Sequence, residues 1–305
     1  MVARRTILKS ALGAAAVAAL PRAFAEAAAK IDVVRVTDSI ALLTGAGGNV
    51  LALTTTDGLV VVDSGAAEAT ADLRLALGAL PNGNKIRTLF NTHWHHEQTG
   101  GNEGLGKGAA IVAHEKTRQR LSIGYYVPAE DRYEKPVAVA AQPTESFYTT
   151  GETQIANQRV DYGYLLEAHT DGDCYVYFRD ANVLAVGDAV SPLRDPELDW
   201  FGGGWLGGRV DSLDLLLKLG NANTKFVPSY GGPVSRADVQ KERDMSLKLF
   251  ERFVELVRKG QSADDIFAAG IMNDTGRTWA DPKKFVHDAF KGFWAHHNTL
   301  MPDIV

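Results

Sequence analysis

The sequence predicts an α/β protein built as a four-layer αββα sandwich, with two sheets packed together and helices outside. Two observations lead there. Short β-branched runs are followed by helix-like segments, and this order occurs once in each half of the 305-residue chain. An apolar content of 45% suits an ordinary globular core with no membrane-spanning run after the N-terminus.

In the first half, residues 33–36, 40–44, 50–55 and 59–63 read as strands separated by Asp-Ser, Gly-rich and Asp-Gly turns. Residues 66–80 read as a helix with Leu73, Leu77 and Leu80 on one face, closed by Pro81-Asn82-Gly83. A buried strand at 86–91 follows, then a strand at 111–113 and a charged helix from Glu115 to about Leu121. Residues 125–143, rich in Tyr, Pro and charge, read as a surface loop or lid.

In the second half, 153–155, 159–162, 165–167, 175–178 and 183–186 read as strands, with a hairpin turn at 179–182. Residues 192–208 form a Gly-dense loop carrying Trp200, Phe201 and Trp205, followed by a helix at 210–219 and a strand at 226–228. A long amphipathic helix at 236–259 and two shorter ones finish the chain.

The N-terminus reads as an export signal rather than part of the fold. Arg4 and Arg5 precede Ile-Leu-Lys, an Ala-rich apolar stretch runs from Ala11 to Leu20, and Ala23-Phe24-Ala25 offers a small-x-small cleavage site. The paired arginines point to the twin-arginine route and a periplasmic protein, with 1–25 as the signal and 26–305 as the domain. An apolar stretch of ten residues is too short for a membrane anchor, so no stable membrane association is expected after cleavage. Removing the signal leaves 28 basic residues against 37 acidic ones, a net charge of −9. That balance argues against nucleic acid and anionic membranes as partners; a small-molecule substrate is expected instead. Cys174 is the one cysteine, so no intrachain disulfide is expected.

The chemistry lies in the loop after the strand at 86–91, which reads Thr92-His93-Trp94-His95-His96-Glu97-Gln98-Thr99-Gly100-Gly101. Two imidazoles two residues apart on a strand-to-loop turn, beside an acid and a Gly pair, suit a divalent metal. Three more polar residues follow apolar segments further on: His169 after the run ending at Leu166, Asp188 after 183–186, and Tyr230 after Phe226. Each is weak alone; together, gathered at one sheet edge, they form a specific pattern.

The order Asp63, His93-x-His95-x-Glu97-Gln98, His169, Asp188 and Tyr230 resembles the metallo-β-lactamase superfamily, with its glyoxalase II/ribonuclease Z-like fold. The Val-Ala-His-Glu segment at 112–115 is most similar to an exported branch of general metallohydrolases within it. The resemblance implies an αββα sandwich with a metal centre at one edge. It gives His93, His95 and His169 as an intact first metal position with an open fourth place. The second position normally takes Asp, His, a bridging Asp and His; here Glu97, Gln98, Asp188 and Tyr230 stand there. Amide and phenol are poorer ligands than imidazole.

Three readings follow. In the first, one Zn2+ on His93, His95 and His169 generates a hydroxide that attacks an ester, thioester, lactone or amide; Glu97 or Asp188 accepts the proton and Tyr230 donates to the oxyanion. In the second, a weaker metal also binds through Glu97, Gln98, Asp188 and Tyr230. In the third, iron on His93, His169 and Asp188 oxidises a sulfur compound, or the fold binds a metal or ligand without catalysis. Retention of His95 favours hydrolysis, since the oxygenase would leave it idle.

Other residues draw structural expectations. Asp63 holds the loop or supports a ligand, His114 makes a structural hydrogen bond, and Cys174 is a buried small hydrophobe. His287, His296 and His297 are expected in solvent. Trp200, Phe201, Trp205 and Arg209 are expected over the site, with Tyr125, Tyr126 and Tyr133 as the facing wall.

Overall fold

The computed structural model describes residues 30–127 and 132–300; the expected signal at 1–25 lies outside the described residues. Seven strands form the first sheet: β1 (Asp32–Arg35), β2 (Ile40–Ala46), β3 (Gly48–Thr55), β4 (Gly58–Val62), β5 (Ile86–Asn91), β6 (Ala110–His114) and β9 (Glu145–Phe147), side by side in that order. Pairing is antiparallel from β1 to β4, where short turns suffice, and parallel from β4 to β9. The first parallel step crosses over through helix α1 (Thr70–Gly78). The second sheet runs β10 (Thr150–Ile155), β11 (Gln158–Tyr164), β12 (Cys174–Phe178), β13 (Val183–Gly187), β14 (Lys225–Pro228). Its last pair is parallel, joined through α5 (Leu206–Leu216).

Strand alternation sorts the apolar residues into layers. Leu51, Leu53, Val60, Val62 and Phe90 face inward onto Val160, Val176, Phe178 and Ala185 of the other sheet. Their neighbours Val50, Ala52, Leu59, Val61 and Leu89 face outward beneath Leu73 and Leu77 of α1. Across the molecule Leu184, Val186 and Phe226 meet Leu213 and Leu216 of α5 and Val239 of α6 (Arg236–Arg258). This is the expected αββα order. Both sheets are buried on both faces, so their central strands read as continuous apolar runs. Each such Leu or Phe contributes about 1.5–3 kcal/mol of burial.

Helices α6, α7 (Ala263–Ala268) and α8 (Pro282–Leu300) close the chain around Leu249, Phe253, Ile266, Phe285 and Val286. Ser235 with Asp238, and Ser262 with Asp265, form reciprocal capping boxes that start α6 and α7. No helix among the described residues is long and apolar enough to cross a membrane.

Four expectations need correction. Residues 165–167 are not a strand, because Glu167 takes a left-handed φ of 58° and turns the chain toward His169. The His loop contains two short helices, α2 (His96–Thr99) and α3 (Asn102–Leu105). The Tyr-rich stretch holds a separate hairpin, β7 (Tyr125–Val127) with β8 (Arg132–Glu134). Helix α5 begins four residues before the expected 210, so Arg209 is helical and wholly buried instead of covering the site.

Arg209 has a structural task. Its Nη2 donates to Glu242 Oε1 at 2.5 Å and to Ser191 Oγ at 3.1 Å, and its Nη1 donates to the Asp188 carbonyl at 2.9 Å. Glu242 in turn accepts the Ser191 amide. This buried ion pair, in which both Nη atoms of Arg209 are bonded and Nε alone is not, fixes the segment after β13. Replacing Glu242 with Ala leaves a guanidinium buried and unpaired, and is expected to cost about 3–5 kcal/mol. The midpoint of chemical denaturation checks it; a loss under about 1 kcal/mol would show the pair to be dispensable.

Candidate metal centre

The ends of four strands build the site. Asp63, just past β4, accepts both the Thr92 amide and the Thr92 hydroxyl at 2.8 Å, tying the His loop to the neighbouring strand. Burial pushes the Asp63 carboxyl up to about 8, while the two Thr92 hydrogen bonds pull the other way. Asn91 and Asn102 exchange side-chain hydrogen bonds at 3.0 and 2.9 Å, closing the base of the loop. His169 is held by Asp173, whose carboxylate accepts its amide at 2.5 Å and the Thr170 amide at 2.9 Å. A register shift at the end of β13 aims Asp188. There Gly187 takes φ 57°, and a Cβ would meet the Thr92 side chain at 3.1 Å, so glycine lets the two loops approach.

His93, His95 and His169 each offer a nitrogen within 4.8 Å of the others. Their far nitrogens decide what the near ones can do. His95 Nε2 faces Asp199 Oδ2 at 3.0 Å, and His169 Nδ1 faces the Glu197 carbonyl at 3.0 Å. Both partners only accept, so both far nitrogens carry the hydrogen. The neutral rings therefore turn bare lone pairs toward each other, His95 Nδ1 against His169 Nε2 at 3.0 Å. Two lone pairs at that distance repel unless a cation or proton lies between them. His93 follows suit. Its Nδ1 is 3.1 Å from the Thr92 hydroxyl, which gives its own hydrogen to Asp63. That leaves Nε2 bare, buried and without a hydrogen bond. The donor set fits a metal, and the far-side partners are those that orient histidine ligands.

The electrostatics keep His93 neutral but favour a proton on His95, which a metal would have to displace. Burial, then the charges of His169 and His95, push His93 well below the usual histidine range, keeping it a neutral ligand. For His95 burial opposes the charged form, yet the Asp199 hydrogen bond and the charges of Asp199, Glu197 and Asp188 outweigh it and raise the pKa. Asp188 Oδ2 stands 3.4 Å from His93 Nε2 and 3.9 Å from His169 Nε2, at the rim of the cluster.

Glu97 does not join the three-nitrogen group, and Tyr230 stands near Asp188, Glu97 and Gln98. Gln98 is buried, and neither its Oε1 nor its Nε2 meets hydrogen-bond geometry. Its amide packs so tightly on Gly48 that a Cβ there would come within 2.9 Å. Burial, then the Asp188 charge, raises the Tyr230 phenol, and the Arg194 guanidinium stacks on its ring at 3.2 Å from the centroid.

A cleft of about 850 Å³ opens from His95 and Glu97. Tyr125, Trp200 and Phe201 line it, as expected, together with Trp94 and the face of α8 that carries Lys284, His287 and Lys291. Tyr126 and Tyr133 do not form its wall and are exposed. Trp205 turns away and stacks on His296 at 3.8 Å, and His296 pairs with Glu167 at 2.9 Å rather than standing in solvent. His297 bonds the Phe293 carbonyl in its own helix. His114 caps helix α4 (Glu115–Ser122) and bonds the Tyr148 carbonyl, and Cys174 is buried, both as expected. Asp199 and Glu197 went unrecognised in the sequence. Asp199 meets His95 across 104 residues, and no spacing signals that.

His95→Ala is expected to abolish metal binding, whereas Gln98→Ala leaves it intact. Asp199→Ala frees the His95 ring to rotate and weakens affinity by about 10- to 100-fold. Competition with a chromophoric chelator reads all three; complete metal loss in Gln98→Ala would show that the site is divided wrongly.

Comparison with known proteins bears on this geometry. The profile of the Metallo-beta-lactamase superfamily matches residues 43–230. A metallo-beta-lactamase from Pontibacter korlensis superposes with a TM-score of 0.58 at 20% identity, over 72% of this chain and 99% of that one. The DIM-1 metallo-beta-lactamase gives 0.56 at 17%, over 71% and 97%. A double mutant of the sec-alkyl sulfatase PisA1 gives 0.65 at 14%, over 90% of this chain and 52% of that one. A search of curated proteins finds no match. The structural likenesses speak for the fold. The profile match spans β2 to Tyr230 and so contains each of the strand ends that build the three-histidine cluster: this chain belongs to the metallo-beta-lactamase superfamily.

Proposed function

We propose that this protein is a hydrolase with one high-affinity zinc ion, held by His93, His95 and His169, acting on an ester, thioester, lactone or amide. The observation that carries the reading is the set of inward lone pairs fixed by Asp199, the Glu197 carbonyl and Thr92. A bound zinc ion polarises a carbonyl and lowers the pKa of coordinated water toward about 7.

The chain's own residues supply the rest. Asp188, 3.4 Å from His93 Nε2, accepts the proton that water releases as its oxygen bonds the carbonyl carbon. Tyr230, kept protonated by burial and by the Asp188 charge, donates a hydrogen bond to the oxygen that gains charge. The carbon–heteroatom bond then breaks and the proton on Asp188 passes to the leaving group. Glu97 lines the cleft beside them as a second base.

Two observations favour this over its rivals. Arg194 already brings a cation to the face of Tyr230, which disfavours a second metal there. His95 Nδ1 is turned toward His169 rather than idle, which disfavours an iron site of two histidines and a carboxylate. Export to the periplasm rests on the N-terminal sequence motif alone.

A panel of an aryl ester, a thioester, a lactone and a β-lactam tests the reaction on zinc-loaded protein. At least one is expected to turn over, with activity lost to a chelator and restored by zinc. Asp188→Asn is expected to lower kcat by roughly 10²- to 10⁴-fold, and Tyr230→Phe by about a hundredfold. Activity that requires iron, or two metals per chain, would overturn the proposal.

A further inference from the structure

The cleft beside the metal centre carries its charges unevenly. Along α8, Lys284, Asp288 and Lys291 succeed one another at spacings of four and three and share one helix face. Lys284 pairs with Asp288 at 2.6 Å, while Lys283 and His287 pair with Asp264 at 3.0 and 3.1 Å. Lys291 differs. Among the described residues no carboxylate comes within 4.0 Å of it, and its exposed ammonium stands 5.0 Å over the Trp200 ring.

The opposite wall is apolar. Trp94 and Tyr125 meet edge to face at 5.6 Å, and Tyr125, Phe201 and Trp200 continue the surface at 6.1 and 6.0 Å. Such a wall can serve a cation or an apolar group. Here Arg120 lies 5.6 Å over one face of Trp94 and Lys291 5.0 Å over one face of Trp200, so the protein's own cations already serve each indole, which disfavours a cationic ligand. Of the six cleft carboxylates, Asp199 is engaged with His95, Asp288 with Lys284 and Asp281 with the Lys284 amide; Glu97, Glu134 and Glu197 complete the set, so an anion is favoured only at Lys291.

We propose that the cleft admits an amphiphilic anion, with Lys291 binding its charged group and Trp94, Tyr125, Trp200 and Phe201 receiving its apolar body. The proposal deepens the hydrolase reading by naming the substrate class of the same site, and rests on it only for what happens to the bound molecule. Lys291 is a specificity-determining residue and takes no part in the proposed chemical step.

Two fluorescent probes of one aryl skeleton test it by binding alone. 1-Anilinonaphthalene-8-sulfonate carries a sulfonate, and N-phenyl-1-naphthylamine does not. The zinc-loaded wild type is expected to prefer the sulfonate, and Lys291→Gln to reduce that preference about fivefold without changing affinity for the neutral probe. Lys291→Arg is expected to retain the preference, and Trp200→Ala to weaken both probes. An identical sulfonate-to-neutral ratio in wild type and Lys291→Gln overturns the anion subsite, even if esters are hydrolysed. Failure of the panel above with the sulfonate preference intact overturns the hydrolase reading and leaves the subsite standing.

Discussion

Two imidazole nitrogens 3.0 Å apart, with both hydrogens committed elsewhere, set the condition that the rest of the site answers. Asp199 holds the hydrogen of His95 and the Glu197 carbonyl holds that of His169, so neither ring can turn an N–H inward without losing a partner. His93 adds a third bare nitrogen, buried and unbonded. Leaving three lone pairs converged with no donor between them is costly, and a cation removes the cost. In the proposed centre, metal affinity would come as much from the outer partners as from the three imidazoles.

The fold makes that convergence possible by bringing strand ends together. Parallel strands β4 and β5 leave Asp63 and the His loop at one edge, and the shift at Gly187 turns Asp188 to the same place. Arg209 and Glu242, deep beneath, fasten the Asp188 backbone to α5 and α6. The C-terminal helices therefore do more than cover a sheet. They anchor one side of the centre, and α8 lends its charged face to the cleft.

Much of this was legible in the sequence, for a physical reason. Strands buried on both faces announce themselves as apolar runs, and polar residues that could hold a metal stand where those runs stop; His93, His95 and His169 are legible on that ground and cluster in the structure. The functions of Asp63, His114 and Cys174 followed from their place in or after a strand. What escaped notice depends on tertiary distance. Asp199 sits in a Gly-rich loop like many acids, and only folding brings it to His95. Arg209 resembled a loop cation until α5 began early and buried it. The strand expected at 165–167 failed because a left-handed Glu167 leaves no mark in apolar patterning. His296 was read as exposed because nothing in a helix pattern reports a Trp205 ring arriving from another element.

The departure from the family at Gln98 and Tyr230 acquires a physical sense from the same geometry. An amide packed on Gly48 and a phenol stacked with Arg194 fill the place beside the tripod, while the tripod itself keeps every outer partner. The central claim is a single metal on three imidazoles. Titration of the metal-free protein with cobalt(II), followed by visible absorption, tests it most directly. The account predicts saturation at about one equivalent, with the intense bands of a four-coordinate ion. Saturation at two equivalents, or no absorbing complex at all, would contradict it.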